Sequence, residues 1–129
     1  MSNEPVLLAE AQCSAYSVGD YFIVPTFGAA SITTYFGGCQ AVIVRNSAGN
    51  YTITFARNYR TLLGFSGGFQ IASGATLEWH VVSETLATNG QMIVEARVAA
   101  GTATDPAAGN KGFLRVAVSN DYMNDKMQV

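Results

Sequence analysis

The sequence predicts an all-β fold, an antiparallel β-sandwich of jelly-roll-like type with an extended N-terminal arm. Apolar runs are short and are broken by Gly, Asn, Ser and Pro, and helical periodicity is almost absent. The chain has 129 residues, which is the size of one domain. We therefore predict an arm over residues 1–12, a sandwich domain over residues 13–119 and a C-terminal tail over residues 120–129.

The clearest predicted element is a hairpin in the first half of the chain. Residues 40–45 and 51–56 are predicted strands, and a five-residue loop that contains glycine joins them. In the second strand Tyr51, Ile53 and Phe55 alternate with polar or small residues, so these three side chains share one face. We expect that face to be buried.

The remaining strands are predicted from segments rich in β-branched and aromatic residues. They cover residues 21–24, 31–36, 69–71, 75–82, 91–99 and 112–119. Pro25 is expected to end the first of these or to mark an edge strand. Residues 64–68 are expected to form a flexible glycine-rich stretch. Residues 101–111 form a long polar loop, and loops of this length tend to be functional or mobile.

Charged residues are scarce: they make up 12% of the chain, compared with a usual fraction of about 25%. Either small polar residues cover the surface, or part of the surface contacts other subunits. Residues 42–44 and 116–118 are apolar on both faces of their strands. Loops would cover such faces in a central strand, and a neighbouring subunit would cover them otherwise.

The charge pattern and the N-terminus exclude several classes of partner. The net charge is −2 and the seven basic residues are scattered, so nucleic-acid binding is not expected. No apolar run has the length of a membrane span, so no membrane partner is expected. The N-terminus lacks the basic start and long apolar core of a signal peptide, which predicts synthesis in the cytosol.

Cys13 and Cys39 are accordingly expected to be reduced thiols that act as small buried hydrophobic residues. Their spacing relative to His80 matches no common zinc-binding pattern. Asp105 is a single acid in its loop, and calcium needs six to eight oxygen ligands. The sequence therefore predicts no metal and no cofactor.

No catalytic residues are predicted. His80 can pair with Glu78 on the same strand face, but no Ser or Cys stands in a nucleophile-elbow context. The carboxylates of Glu78, Glu84 and Glu95 could converge as in a glycosidase. We favour the alternative that Glu95 forms a cross-strand ion pair with Arg115, which requires no active site. The glycine-rich stretch lacks the Lys-Ser/Thr of a phosphate loop.

Two features allow a binding role. Trp79 and six other aromatics could form a carbohydrate platform, although aromatics that alternate along strands are more often core; the six are Phe22, Phe36, Tyr51, Phe55, Phe69 and Phe113. The arm carries an apolar patch outside the strand pattern, formed by Pro5, Val6, Leu7 and Leu8. We predict that this patch contacts another protein. The alternative is that it forms the first strand of the sandwich.

Several motifs between residues 51 and 120 carry a family resemblance. They are YTITFAR from Tyr51, LLG from Leu62, a strand around Trp79, GTATDP from Gly101 and GFLRVAVSN from Gly112. In these motifs, over about half of its length, the chain resembles small β-sandwich structural proteins of tailed-phage and prophage virions.

The resemblance implies a non-enzymatic virion component, often a homotrimer. Capsid decoration (cement) proteins, which bind the major capsid protein on the outer surface of the head and stabilise the shell, fit this description. Tail or fibre modules that bind receptors or carbohydrate are the alternative. We favour decoration, because the chain has no coiled-coil heptads and no fibrous repeats.

Overall fold

Eight β-strands form two four-stranded antiparallel sheets in a computed structural model that describes residues 18–120. Sheet A has the strand order β2-β1-β8-β5 and sheet B the order β3-β4-β7-β6. The strands are β1 (Val18–Gly28), β2 (Ser31–Gly37), β3 (Val42–Ser47), β4 (Asn50–Thr54), β5 (Thr61–Gln70), β6 (Glu78–Thr85), β7 (Gln91–Arg97) and β8 (Lys111–Ser119). The predicted antiparallel β-sandwich is confirmed.

The described strands are joined by three hairpins and four crossovers. β1–β2, β3–β4 and β6–β7 are hairpins within one sheet, whereas β2–β3, β4–β5, β5–β6 and β7–β8 pass from one sheet to the other. Eight strands in two sheets is the strand number of a jelly roll. The edge strands of the two sheets contact each other in pairs: β2 and β3 lie on one side of the sandwich, and β5 and β6 lie on the opposite side.

The core lies between the sheets and follows the two-residue period of the strands. In β7, Met92, Val94 and Ala96 are buried and their neighbours are half-buried. Tyr51, Ile53 and Phe55 are all buried, so the face predicted for this strand is confirmed. The other buried apolar residues are Tyr21, Ile23, Phe27, Ala41, Ile43, Tyr59, Leu77, Leu86, Leu114, Val116 and Val118.

Trp79 joins the two sheets. Its indole stacks on Phe69 with ring centroids 4.5 Å apart, and its Nε1 donates a hydrogen bond of 3.1 Å to the Gly68 carbonyl oxygen. A Cβ on Gly67 would lie 2.8 Å from the indole, and one on Gly112 would lie 2.7 Å from it. A Cβ on Gly67 would also lie 2.4 Å from the Phe113 carbonyl oxygen. The tryptophan ring therefore excludes a side chain at Gly112, and the ring together with the β8 backbone excludes one at Gly67.

The glycine-rich stretch over residues 64–68 is part of strand β5. The expectation of a flexible segment is therefore wrong. Its residues continue in register along β8 from Gly64 to Gly68, opposite Ala117 to Phe113. At Gly67 the close approach of Trp79 and of the β8 backbone requires glycine. Pairing with β8 holds the backbone of the whole stretch extended.

Pro25 neither ends β1 nor marks an edge, since β1 continues to Gly28 and lies between β2 and β8. The Phe27 N–H donates to the Asn110 carbonyl on the β8 side. Because N–H groups two residues apart face the same neighbour, the Pro25 nitrogen also faces β8. The β1–β8 ladder has no pair at Pro25, so the missing N–H costs no hydrogen bond.

Two local elements differ from the sequence prediction. The β3–β4 turn consists of Ala48 and Gly49 alone, because β3 continues to Ser47 past an irregularity in the ladder. A short helix, α1 (Leu86–Asn89), follows β6. Leu86 is fully buried and Gly90 ends the helix with φ 69°, so burial of one leucine fixes a helical turn too short to show periodicity.

The loop before β8 is tied down at its end by Asn110, which is fully buried. The Asn110 Oδ1 accepts hydrogen bonds from the Ala72 and Ser73 N–H groups at 2.7 and 3.2 Å, and its Nδ2 donates to the Ser73 carbonyl at 3.0 Å. Three hydrogen bonds of this buried amide are thus made locally, and both its oxygen and its nitrogen have a partner. The asparagine joins the loop after β5 to the start of β8.

Cys39 is disulfide-bonded, so the prediction of a reduced thiol is wrong for this residue. It lies in the single 3-10 turn Gly38–Gln40 of the β2–β3 crossover and packs against the core, as expected of a small hydrophobic residue. The prediction depended on the inferred compartment, which does not determine whether two sulfur atoms meet. Cys13 lies outside the described residues, as do Pro5–Leu8 and the tail beyond Asn120.

Candidate functional surface

The outer face of sheet B carries a hydrogen-bonded polar cluster beside the exposed Val42 and Val44. Asn50 Nδ2 donates to Glu95 Oε2 at 2.9 Å, and Arg97 Nε donates to Glu95 Oε1 at 2.9 Å. Asn46 Nδ2 donates to Asn50 Oδ1 at 2.9 Å and to Thr52 Oγ1 at 2.7 Å. Because the polar side chains of this cluster hydrogen-bond to one another, the cluster suits contact with water.

His80 and Glu78 pair as the sequence predicts. His80 Nε2 lies 3.6 Å from Glu78 Oε1 on exposed β6, and His80 stands opposite Glu95 in the β6–β7 register. Over residues 18–120, no group of three or more His, Cys, Asp or Glu side chains is arranged to hold a metal ion.

The three glutamates do not form a glycosidase pair. Glu84 Oε1 accepts a hydrogen bond of 2.9 Å from the Leu86 N–H at the start of α1. Hydrogen bonds from Asn50 and then Arg97 hold the pKa of Glu95 below its usual range. A glycosidase acid needs a raised pKa, so the environment of Glu95 opposes that role.

The predicted ion pair between Glu95 and Arg115 is wrong. β7 and β8 belong to different sheets because the chain crosses between them after Arg97. Glu95 instead pairs with Arg97 at 2.8 Å, and Arg115 pairs with Asp20 at 2.8 Å. The predicted ion pair requires that the consecutive strands β7 and β8 are neighbours in one sheet, and the crossover after Arg97 places them in different sheets.

Asp105 anchors the long loop to the β3–β4 turn. Arg45 donates to both carboxylate oxygens at 3.0 and 2.8 Å, and the Gly49 N–H donates to Oδ1 at 3.0 Å. The Arg45 guanidinium therefore lowers the pKa of Asp105 below its usual range. The carboxylate has a structural partner on each oxygen, which explains its presence without a calcium ion.

This arrangement predicts an acid-dependent loss of stability. A carboxyl group whose folded pKa is lowered contributes stability above its unfolded pKa of about 4, and loses it as pH falls through the folded pKa. Asp105→Asn should therefore reduce the free energy of unfolding at about pH 7, and the difference from wild type should shrink below about pH 4. Urea unfolding across this range measures it. A difference independent of pH would contradict the role given to the ion pair.

The outer face of sheet A is aromatic and exposed. Phe22, Phe36 and Phe113 are 43%, 62% and 42% exposed, and Val24 lies between them. Val24 pairs with Phe36 in the β1–β2 register, and Phe22 pairs with Arg115, two residues from Phe113. These four side chains therefore lie side by side, and we call Phe22, Val24, Phe36 and Phe113 the aromatic face.

A groove of about 390 Å³ runs along the aromatic face. Phe22, Val24 and Phe113 line it, and on the β5 side a Cβ at Gly68 would meet no atom within 4 Å. Arg115 borders the groove with its guanidinium carbon 5.7 Å from the Phe22 ring centroid. The groove can thus accept apolar side chains beside one cation whose charge Asp20 balances.

The sequence assigned these aromatics to the core, and the structure divides them. Tyr51 and Phe55 are buried, and Phe69 packs against the core. Phe22 and Phe113 occupy the opposite pleat from buried Ile23 and Leu114, so the core interpretation is wrong for them and for Phe36. The available signal was that these strands are apolar on both faces, the pattern already noted at residues 42–44, where Ile43 is buried and its neighbours are exposed.

Comparisons with known proteins give no assignment, since no family model, no curated protein and no solved structure matches the chain. Among residues 18–120 no helix is both long and apolar enough to span a membrane.

Proposed function

We propose that this chain is a non-enzymatic structural protein that binds another protein through its aromatic face. The more specific proposal is a capsid decoration protein that binds the major capsid protein on the outer surface of a tailed-phage head, as a homotrimer. The observation that carries the docking role is the exposed aromatic face, because three adjacent phenylalanines on a small domain need a partner surface.

The surroundings of the aromatic face have the anatomy of an interface. Protein interfaces combine an apolar, aromatic-rich centre with a polar rim. Here Lys111, the first residue of β8, lies at one end of the aromatic face. The Arg115–Asp20 pair lies at the other end. The rim charges can orient a partner while the phenylalanines provide the anchors.

The magnitude of the contact suits a component that is present in many copies. The three rings leave roughly 200–350 Å² of aromatic surface exposed. Burying that surface stabilises a contact by about 5–9 kcal/mol before the cost of association. Summed over a shell, even a modest net gain at each contact stabilises the assembly strongly.

The step from a docking protein to a phage head is supported by the family resemblance of residues 51–120. A carbohydrate platform centred on Trp79 has less support, because the indole stacks on Phe69 and also contacts Phe27 and Tyr51 inside the sandwich. A tail or fibre position remains the alternative outcome of the binding experiment.

The test is binding to empty head shells of the phage that encodes the chain. We expect the double substitution Phe36→Ser and Phe113→Ser to weaken co-sedimentation about tenfold or more, because the apolar anchors are removed. The control is Val42→Ser, which changes an exposed valine on the outer face of sheet B. Light scattering should give three times the 13.6 kDa of one chain.

Equal binding by wild type, the double variant and the control would refute docking through the aromatic face. Binding of wild type to purified tails, and not to heads, would refute decoration and favour the tail alternative. Circular dichroism of each variant separates loss of binding from loss of fold.

A further inference from the structure

A cleft of about 540 Å³ opens between edge strands β2 and β3, on one side of the sandwich. Residues 30–35 line one wall, and Ile43, Val44 and Arg45 line the other. Its apolar lining continues into the core, since Ile32 packs against the core and Ile43 is buried. The floor of the cleft is therefore the edge of the core, where Ile32 is half-buried.

Both strands that border the cleft present an unpaired edge. Within residues 18–120, no strand pairs with the outer side of β2 or of β3. β2 contains no charged residue and no proline, and Arg45 is the one charged residue of β3. Natural sheets usually protect such edges with charge, proline or a covering segment. The β2 edge lacks both charge and proline, and the one charge on the β3 edge, Arg45, is paired with Asp105. This points to a covering segment over β2.

Cys39 lies in the crossover that joins these two edge strands, and it is disulfide-bonded. The sequence contains one other cysteine, Cys13. A bond between the two would anchor the N-terminal arm where β2 ends and the chain turns towards β3. The arm would then start at one end of the cleft.

The length of the arm matches the length of the cleft. Residues 5–8 precede Cys13 by five to eight positions, and residues 31–34 precede Cys39 by the same number of positions. Extended strands advance about 3.3 Å per residue. An arm that runs beside β2 in the same direction therefore places its apolar patch beside residues 31–34, which line the cleft.

We propose that the segment Pro5–Leu8, held by a disulfide between Cys13 and Cys39, lies extended in the β2–β3 cleft of its own chain. Its apolar side chains would cover the half-buried Ile32 at the edge of the core, and its backbone would pair with an open strand edge. Anchoring raises the effective concentration of the segment, which favours the cleft of its own chain over that of a second copy.

This inference goes beyond the proposed function and does not depend on it. It assigns the arm to the sandwich itself, which is the alternative that the sequence left open, and it makes no use of the aromatic face. The two proposals can therefore fail separately.

The test is photo-crosslinking of the free protein. The photoreactive residue p-benzoylphenylalanine replaces Tyr35, which lines the cleft and is 40% exposed, or Phe113 on the aromatic face, which is 42% exposed. Isotope-labelled and unlabelled copies are mixed in denaturant, refolded and irradiated. We expect crosslinks from position 35 to peptides of residues 1–12 of the same isotope, and loss of these crosslinks when position 113 carries the probe.

Crosslinks between copies of different isotope would show that the arm enters a second molecule and would overturn the proposal. So would the absence of arm peptides at position 35, or a non-reduced digest without a peptide that joins Cys13 to Cys39.

Deletion of residues 1–10, which retains Cys13, provides a second measurement. Hydrogen exchange in β2 should become about tenfold faster, while exchange in β8 stays unchanged. Unchanged exchange in β2 would overturn the proposal. Neither measurement involves a capsid, so neither outcome depends on head binding.

Discussion

Replacing Gly49 by alanine is expected to lower the free energy of unfolding by more than about 3 kcal/mol. Gly49 has φ 66°, and a Cβ there would lie 2.4 Å from the Thr104 nitrogen and 2.8 Å from the Ala96 carbonyl oxygen. Both atoms belong to backbone that is itself hydrogen-bonded, since the Thr104 N–H donates to the Ala96 carbonyl at 2.8 Å. Neither can move aside without breaking the contact between the β3–β4 turn and the long loop.

The matched control for this substitution is Gly101→Ala. Gly101 also has a positive φ, 94°, but a Cβ there would meet no atom within 4 Å. It should therefore lose only about 1–2 kcal/mol, the conformational cost of the left-handed region. Urea unfolding of the two variants separates the steric contribution from the conformational one. Equal losses at both positions would show that the close approach at Gly49 is not what excludes a side chain.

Replacing Trp79 by alanine is expected to lower the free energy of unfolding by about 3–5 kcal/mol. The substitution removes the stacking on Phe69 and the hydrogen bond to the Gly68 carbonyl, and it empties the space that Gly67 and Gly112 provide. Because the indole joins β6 of one sheet to β5 of the other, the loss weakens the packing between sheets. Thermal or urea unfolding measures it.

Two further variants test this account of Trp79. Trp79→Phe retains a ring against Phe69 but loses the Nε1 donor, so it should be destabilised by a smaller amount. Phe113→Ala removes an exposed aromatic ring from the aromatic face, and should cost less than about 1 kcal/mol. A Trp79→Ala variant as stable as Phe113→Ala would contradict the structural role. If Trp79→Ala is destabilised as expected, a loss of glycan binding by this variant would reflect unfolding and not the loss of a carbohydrate contact.

The periodicity of single strands predicted the fold class and much of the core. The buried face of Tyr51, Ile53 and Phe55 follows from a strand that is polar on its other side. The same rule fails at Phe22 and Phe113, where an apolar residue also occupies the outer side of the strand. Periodicity does not indicate which side faces the second sheet, because that depends on the pairing of distant strands.

Contacts between strands were the part that local sequence could not predict. Glu95 and Arg115 lie on consecutive strands, yet the chain changes sheet between them, and the partners are Arg97 and Asp20. The sequence predicts that the glycines of β5 are flexible, but the reason for Gly67 lies on other strands, at Trp79 and at the Phe113 carbonyl oxygen. In each case the deciding atom is remote in sequence. The candidate surface was missed for the same reason.

The position of β8 has a consequence for the order of folding. This strand lies inside sheet A, between β1 and β5, and both pair with it along most of their length. During synthesis, sheet A cannot be completed until residues 111–119 have left the ribosome, whereas the four strands of sheet B are available earlier. Until then the edges of β1 and β5 that β8 will cover are exposed to other nascent chains, which makes slow completion and aggregation a hazard of this topology.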